Sequence, residues 1–191
     1  WTHQFFEEVL PKLYEPEGSP FEERASQLAF RHHNPASPMQ WMLREADCLA
    51  SGAERREQQY ERDIHKKARL ASLFSRLRLP EGPKAELAYY ELRELDLGGD
   101  SIFPHRIEDL SPPSGSLLVD DYKALWEGFE KDLRAAQPSS PEVALHWIAM
   151  AMEKHFWSVP AAATETVPDS SLYDHSRAVA AVAAAMYRYH E

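Results

Sequence analysis

Histidine and aspartate side chains at three places in the chain could together hold a metal ion. His175 and Val179 are four residues apart and so lie on the same face of a helix. This spacing predicts that the His175 imidazole points toward the interior. Asp47 lies in the same way on the apolar face of a helix. His32 and His33 stand in a loop just before that helix, and loops on a rigid scaffold often carry function. Three separate elements therefore offer imidazole and carboxylate groups.

Each of these residues also has a plain structural explanation. An inward-facing histidine such as His175 is more often a core residue than a ligand. A buried carboxylate is costly unless it is paired, and Arg55 or Arg56 could form an internal salt bridge with Asp47. The two loop histidines, taken alone, would be solvated surface side chains. Spacing by itself leaves both interpretations open.

Imidazole and carboxylate ligands together suit Mn, Fe, Ni, Co or Zn. An ion held in this way can activate water for the hydrolysis of a phosphodiester, and a metal pair can hold the attacking and leaving oxygens. If the three elements meet, the predicted chemistry is therefore metal-dependent phosphodiester cleavage.

Composition limits the possible classes of function. The chain has 191 residues, 21 basic and 31 acidic, with a net charge of −10. A surface this acidic does not coat nucleic acid, so any contact with it must be local. Cys48 is the only cysteine, which excludes an internal disulfide and favours a cytoplasmic location. No apolar run is long enough to span a bilayer, so no membrane partner is expected.

Helical periodicity predicts a single all-α domain over residues 1–191. Ser-Pro pairs at Ser19, Ser37 and Ser140 mark helix starts, with serine as the cap and proline in the first turn. The other predicted helices begin near residues 2, 53, 120 and 172, and the last one runs to about residue 189.

Two regions depart from ordinary amphipathic helices. Residues 53–79 carry eight basic and four acidic side chains, which favour a solvated helix face or else a local patch that contacts phosphates. Residues 80–118 are rich in Pro and Gly and are interpreted as an irregular insertion. A hairpin could form there from 88–92 and 101–103. The residues proposed to bind nucleic acid are Arg55, Arg56, Lys66, Lys67 and Arg69.

Three segments carry more specific motifs: residues 168–177 (PDSSLYDHSR), residues 46–56 (ADCLASGAERR), and Arg31-His32-His33. In order and spacing they resemble the HD domain in the large subunit of type III CRISPR effector complexes. The resemblance spans nearly the whole chain. It implies an all-α, circularly permuted HD-superfamily fold with a small irregular or hairpin insertion, in which the helix that opens an ordinary HD domain lies at the C-terminal end.

The resemblance also implies a ligand set. Metal ligands would be His175, Asp47 and His33, with His32 as second choice for the loop ligand and His3 as a further histidine of the site. They would hold one or two divalent ions of Mn, Ni, Co or Fe. The family's His-Asp-x-Gly-Lys helix is expected just before the first residue of this chain, and the palm domains of the same subunit after its last.

The function implied by the resemblance is metal-dependent cleavage of single-stranded DNA within an antiviral interference complex. Its partners would be the palm domains, the other type III effector subunits, guide RNA and the DNA substrate. Two alternatives stay open. One is a degenerate, non-catalytic HD module that acts as an interaction platform in the same complex. The other is a nucleotide phosphohydrolase, because HD folds also serve that reaction.

Overall fold

A computed structural model describes residues 5–9, 25–51, 67–77, 86–98, 102–111, 117–161 and 167–190. These residues are mainly helical and include one two-stranded antiparallel hairpin, so the predicted all-α class with a small hairpin is confirmed. No helix among them is long and apolar enough to cross a membrane. The elements are α1 (Ala25–Arg31), α2 (Pro38–Ala50), β1 (Ala88–Tyr89), β2 (His105–Arg106), α3 (Val119–Ala135), α4 (Pro141–Phe156) and α5 (Leu172–His190), with a π-helical turn at Phe5–Val9 and 3₁₀ turns at Leu73–Arg76 and Ile107–Asp109.

Side-chain caps fix where the long helices begin. Ser37 caps α2, and its Oγ accepts a hydrogen bond from the backbone N–H of Gln40 at 3.3 Å. Ser140 does the same at α4, as the Ser-Pro pattern predicts. At α5, Ser171 Oγ accepts from the backbone N–H of Asp174 at 3.0 Å and donates to that carboxylate at 2.8 Å. These caps satisfy N–H groups that the first helical turn cannot pair.

The chain divides into two compact units. The first unit comprises Trp1–Arg56, Glu130–Ala151 and His175–Glu191, and the second comprises Glu57–Phe129 and Met152–Asp174. The single domain predicted over residues 1–191 stays a prediction.

In the first unit, α1, α2 and α5 surround one apolar cavity. Leu28 of α1, Leu43 of α2 and Ala183 of α5 all contribute to its lining. Apolar stripes at helical spacing bring these three helices together, because each stripe must be removed from water. The elements that carry the predicted histidines and aspartate therefore meet in one unit.

The second unit has an aromatic core. The ring centroid of Phe129 lies 4.8 Å from that of Phe156 and 5.5 Å from that of Trp126. His155 is fully buried beside this cluster, with its Nδ1 3.5 Å from a carboxylate oxygen of Glu94. A Cβ on Gly128 would lie 2.7 Å from His155 Cε1, so the histidine fits there only because α3 has no side chain at that position.

The structure corrects two predictions in the second unit. Residues 67–77 were expected to be helical, but Ala71 forms an antiparallel bridge with Tyr89 and a 3₁₀ turn follows. The backbone N–H of Ala71 also donates to the carbonyl of Pro168, a partner far away in sequence. The second hairpin strand was expected at 101–103, and it lies at His105–Arg106. Such long-range backbone pairing overrides local propensity.

Tyr122 gives this unit an alkaline pH dependence. Burial raises the pKa of the Tyr122 hydroxyl to about 12, and the hydroxyl donates to the carbonyl of Ala68 at 2.9 Å. In the unfolded chain the pKa of this hydroxyl is near 10. The contribution of Tyr122 to the free energy of unfolding is therefore fully present below pH 10 and is lost as the pH rises toward 12. We expect the free energy of unfolding to drop by about 2 to 3 kcal/mol across this window.

The comparison that checks this is Tyr122→Phe, which cannot titrate. Below pH 10 the variant should be less stable than wild type, since the Ala68 carbonyl loses its donor. Denaturant unfolding at several pH values should show wild type losing about 2 to 3 kcal/mol relative to the variant between pH 10 and pH 12, so that the gap closes and then reverses sign. A constant gap would contradict the assignment.

Candidate metal centre

Two histidines and one aspartate of the first unit converge in space. One ligand atom each from His32, His33 and Asp47 lies within 4.8 Å of the others. The histidines follow the last residue of α1, and Asp47 lies in the last turns of α2. His32 and Asp47 are partly buried, whereas His33 is exposed. The cluster is therefore supported from inside and open to solvent on the side of His33.

The backbone of α1 sets the tautomer of His32. Its Nδ1 lies 2.5 Å from the carbonyl oxygen of Ala29, which can only accept a hydrogen bond. Nδ1 must therefore carry the proton and donate it, so Nε2 of the neutral ring holds the lone pair. Metal-binding histidines commonly donate their second ring nitrogen to a carbonyl or carboxylate in this way.

His175 supports the aspartate from α5. Its Nε2 lies 2.9 Å from Asp47 Oδ1, and both side chains are largely buried, with exposed fractions of 19% and 15%. An ionised carboxylate only accepts, so His175 Nε2 donates to it. In this arrangement the histidine orients the Asp47 carboxylate. Direct coordination by His175, as the resemblance implies, stays a prediction.

The donor set fits a divalent transition metal. Two imidazoles and a carboxylate are borderline to hard ligands that Mn, Fe, Co, Ni and Zn all accept. Bonds of about 2.0 to 2.2 Å place neighbouring ligand atoms about 3 to 3.5 Å apart, so small side-chain rotations would close the observed 4.8 Å spread. Both the hydrogen bond of His32 to Ala29 and that of His175 to Asp47 hold the ligands in place.

Of the other predicted site residues, the structure describes Lys67 and Arg69. His3, Arg55, Arg56 and Lys66 lie outside the described residues. Lys67 is exposed. Arg69 is buried in the second unit, where its guanidinium donates to the carbonyl of Ser111 at 3.1 Å. Burial lowers the pKa of Arg69, and the charges of Asp121 and Glu91 oppose that shift.

Sequence reasoning missed one member of the site, the Ala29 carbonyl that orients His32. Its signal is the separation of three residues at a helix end, where carbonyls lack intrahelical partners. The resemblance implied that His175 and Asp47 share a site although they are 128 residues apart, but it did not indicate a direct hydrogen bond between them. The salt bridge considered for Asp47 with Arg55 or Arg56 falls outside the described residues.

No protein-family model matches the chain. No curated protein matches it significantly either.

Proposed function

We propose that this chain is the HD-type domain of a type III CRISPR large subunit and that it cleaves single-stranded DNA with a bound divalent metal. The convergence of His32, His33 and Asp47 within 4.8 Å carries the proposal. From sequence alone, the resemblance implies His175, Asp47 and His33 as ligands, with His32 as second choice for the loop ligand and His3 as a further histidine. His175 now contacts Asp47 at 2.9 Å, which supports a shared role for the four.

Each residue of the cluster has a task that its geometry supports. His32 and His33 offer ring nitrogens, and Asp47 offers a carboxylate oxygen, as ligands for a cation. His175 holds the carboxylate in its orientation. A divalent metal, when bound, supplies a Lewis acid that activates water and stabilises charge on phosphate oxygens. The exposure of His33 supports access by a long polymer rather than only by a small molecule.

The wider assignment follows the same resemblance. The palm domains of the same subunit, other effector subunits and guide RNA are the proposed partners, and the proposed location is the cytoplasm. Mn, Ni, Co or Fe would be the metal, as one or two ions. Of the residues proposed to contact DNA, the structure describes Lys67 and Arg69, and Lys67 is the one exposed to solvent.

The test is cleavage by the complete subunit encoded by the gene. With Mn²⁺ it should cut a labelled single-stranded oligonucleotide, and EDTA should stop the reaction. His33→Ala should slow cutting by about 100-fold, because the cluster loses a ligand. His146→Ala is the matched control, since His146 is an exposed histidine on α4 of the same unit.

Three results would overturn the nuclease proposal. Equal cutting by His33→Ala and wild type would remove the cluster from the reaction. Release of phosphate from mononucleotides without oligonucleotide cleavage would favour a nucleotide phosphohydrolase. A complete subunit that neither binds metal nor cuts DNA would favour the non-catalytic interaction platform.

A further inference from the structure

An exposed tryptophan lies on the helix that carries Asp47. Trp41 of α2 keeps 48% of its surface accessible, which is high for the largest apolar side chain. The guanidinium carbon of Arg44 lies 5.0 Å from the centroid of its ring. A cation held at this distance from an indole is a favourable cation–π contact. The pair presents a flat aromatic surface next to a positive charge.

Helix geometry relates this pair to the metal cluster. Trp41 and Asp47 are six residues apart, about 9 Å along the helix and about 120° around it. Arg44 lies midway, about 4.5 Å and about 60° from each. Because side chains reach about 5 to 6 Å from the helix axis, the rotation and the rise together separate the two side chains by about 13 Å. Bases in a stacked strand are about 3.4 Å apart, so this distance matches about four nucleotides. A strand whose phosphate reaches the cluster could thus place a nearby base at Trp41.

We propose that Trp41 and Arg44 form a stacking platform that binds a base of single-stranded nucleic acid beside the metal cluster. Aromatic side chains on which bases stack, combined with cationic groups that meet the backbone, are the usual means of binding single strands without sequence preference. Arg44 holds the indole ring in its orientation. It also contributes a positive charge, and positive charges are outnumbered in this acidic chain. The inference rests on the proposed function and names how that site would hold its substrate.

The test separates binding from cleavage by working in EDTA. Fluorescence anisotropy of a labelled oligothymidylate on the complete subunit should show that Trp41→Ala weakens binding by about tenfold. Trp41→Phe should keep most of the affinity, because a phenyl ring still stacks. Trp147→Ala is the matched control, since Trp147 has 41% of its surface exposed on α4 of the same unit.

Two further probes identify the interaction as base stacking. On an oligonucleotide of abasic sites, wild type and Trp41→Ala should bind equally. Binding of a labelled oligouridylate shows whether the platform binds RNA as well as DNA. A loss of affinity in Trp41→Ala with either polymer supports the inference. Unchanged binding by Trp41→Ala, an equal loss with Trp147→Ala, or an equal loss on the abasic strand would overturn the inference.

The outcome is separable from that of the nuclease proposal. If the platform is wrong, Trp41→Ala binds normally in EDTA while His33→Ala still fails to cut with Mn²⁺. If the nuclease proposal is wrong, His33→Ala cuts like wild type or nothing cuts, whatever the binding result for Trp41→Ala.

Discussion

Asp47→Asn is expected to reduce the proposed DNA cleavage by the complete subunit on the order of 100-fold or more. The substitution keeps the size of the side chain but removes the only negative charge of the His32-His33-Asp47 cluster. It also weakens the bond from His175, which would then donate to a neutral oxygen instead of a carboxylate. Single-turnover cleavage in Mn²⁺ measures the loss, and thermal unfolding checks that the variant stays folded.

Glu45→Gln is the matched control for Asp47→Asn. Glu45 lies two residues away on the same helix, but its side chain is exposed. Both substitutions remove one acidic charge from α2, so a general electrostatic effect on DNA binding would affect them alike. Cleavage by Glu45→Gln should stay within about twofold of wild type, because exposed surface substitutions change little. Equal losses in the two variants would contradict a specific role for Asp47.

Phe129→Ala should destabilise the protein by about 3 to 5 kcal/mol. Phe129 is only 2% exposed, and its ring packs between those of Trp126 and Phe156. Removing it leaves a cavity that these large rings cannot fill by small shifts. Denaturant unfolding of wild type and Phe129→Ala measures the loss.

Phe103→Ala is the control for the same chemical change on the surface of the same unit. Phe103 is 62% exposed, so its truncation should cost less than about 0.5 kcal/mol. The difference between the two variants reports burial and packing rather than loss of a phenyl group as such. If Phe129→Ala were as stable as Phe103→Ala, the aromatic core described for the second unit would be wrong.

Helix starts were predictable because their signals are local. The Ser-Pro pairs at Ser37 and Ser140 placed α2 and α4 at the residues where the structure has them. The helix predicted to begin near residue 120 is α3, and its Leu125, Trp126 and Phe129 are buried at helical spacing. Capping and amphipathic spacing act within a few residues, so a single sequence contains them.

The segments that local rules missed are held by distant backbone partners. Residues 67–77 carry a helix-like charge pattern, yet Leu70 accepts from Tyr90 and Ala71 donates to Pro168. The hairpin strand at His105–Arg106 was misplaced for the same reason, since its register is set by pairing with β1. No local pattern specifies which of several extended segments will pair.

The sequence indicated which residues could form the candidate site, but it did not indicate which of them would contact one another. Periodicity turned His175 and Asp47 toward the interior, and the structure leaves both mostly buried. Their 2.9 Å hydrogen bond depends on how α2 and α5 pack, which spacing within each helix cannot specify. Both candidates for the loop ligand, His32 and His33, lie in the cluster.

Metal binding tests the central claim most directly. Mn²⁺ should be titrated into metal-free complete subunit and the free ion followed by electron paramagnetic resonance, with Asp47→Asn and Glu45→Gln measured in parallel. The account predicts at least one site in wild type and in Glu45→Gln that Asp47→Asn binds on the order of 100-fold more weakly. Identical binding curves for wild type and Asp47→Asn, or no binding by wild type, would contradict it.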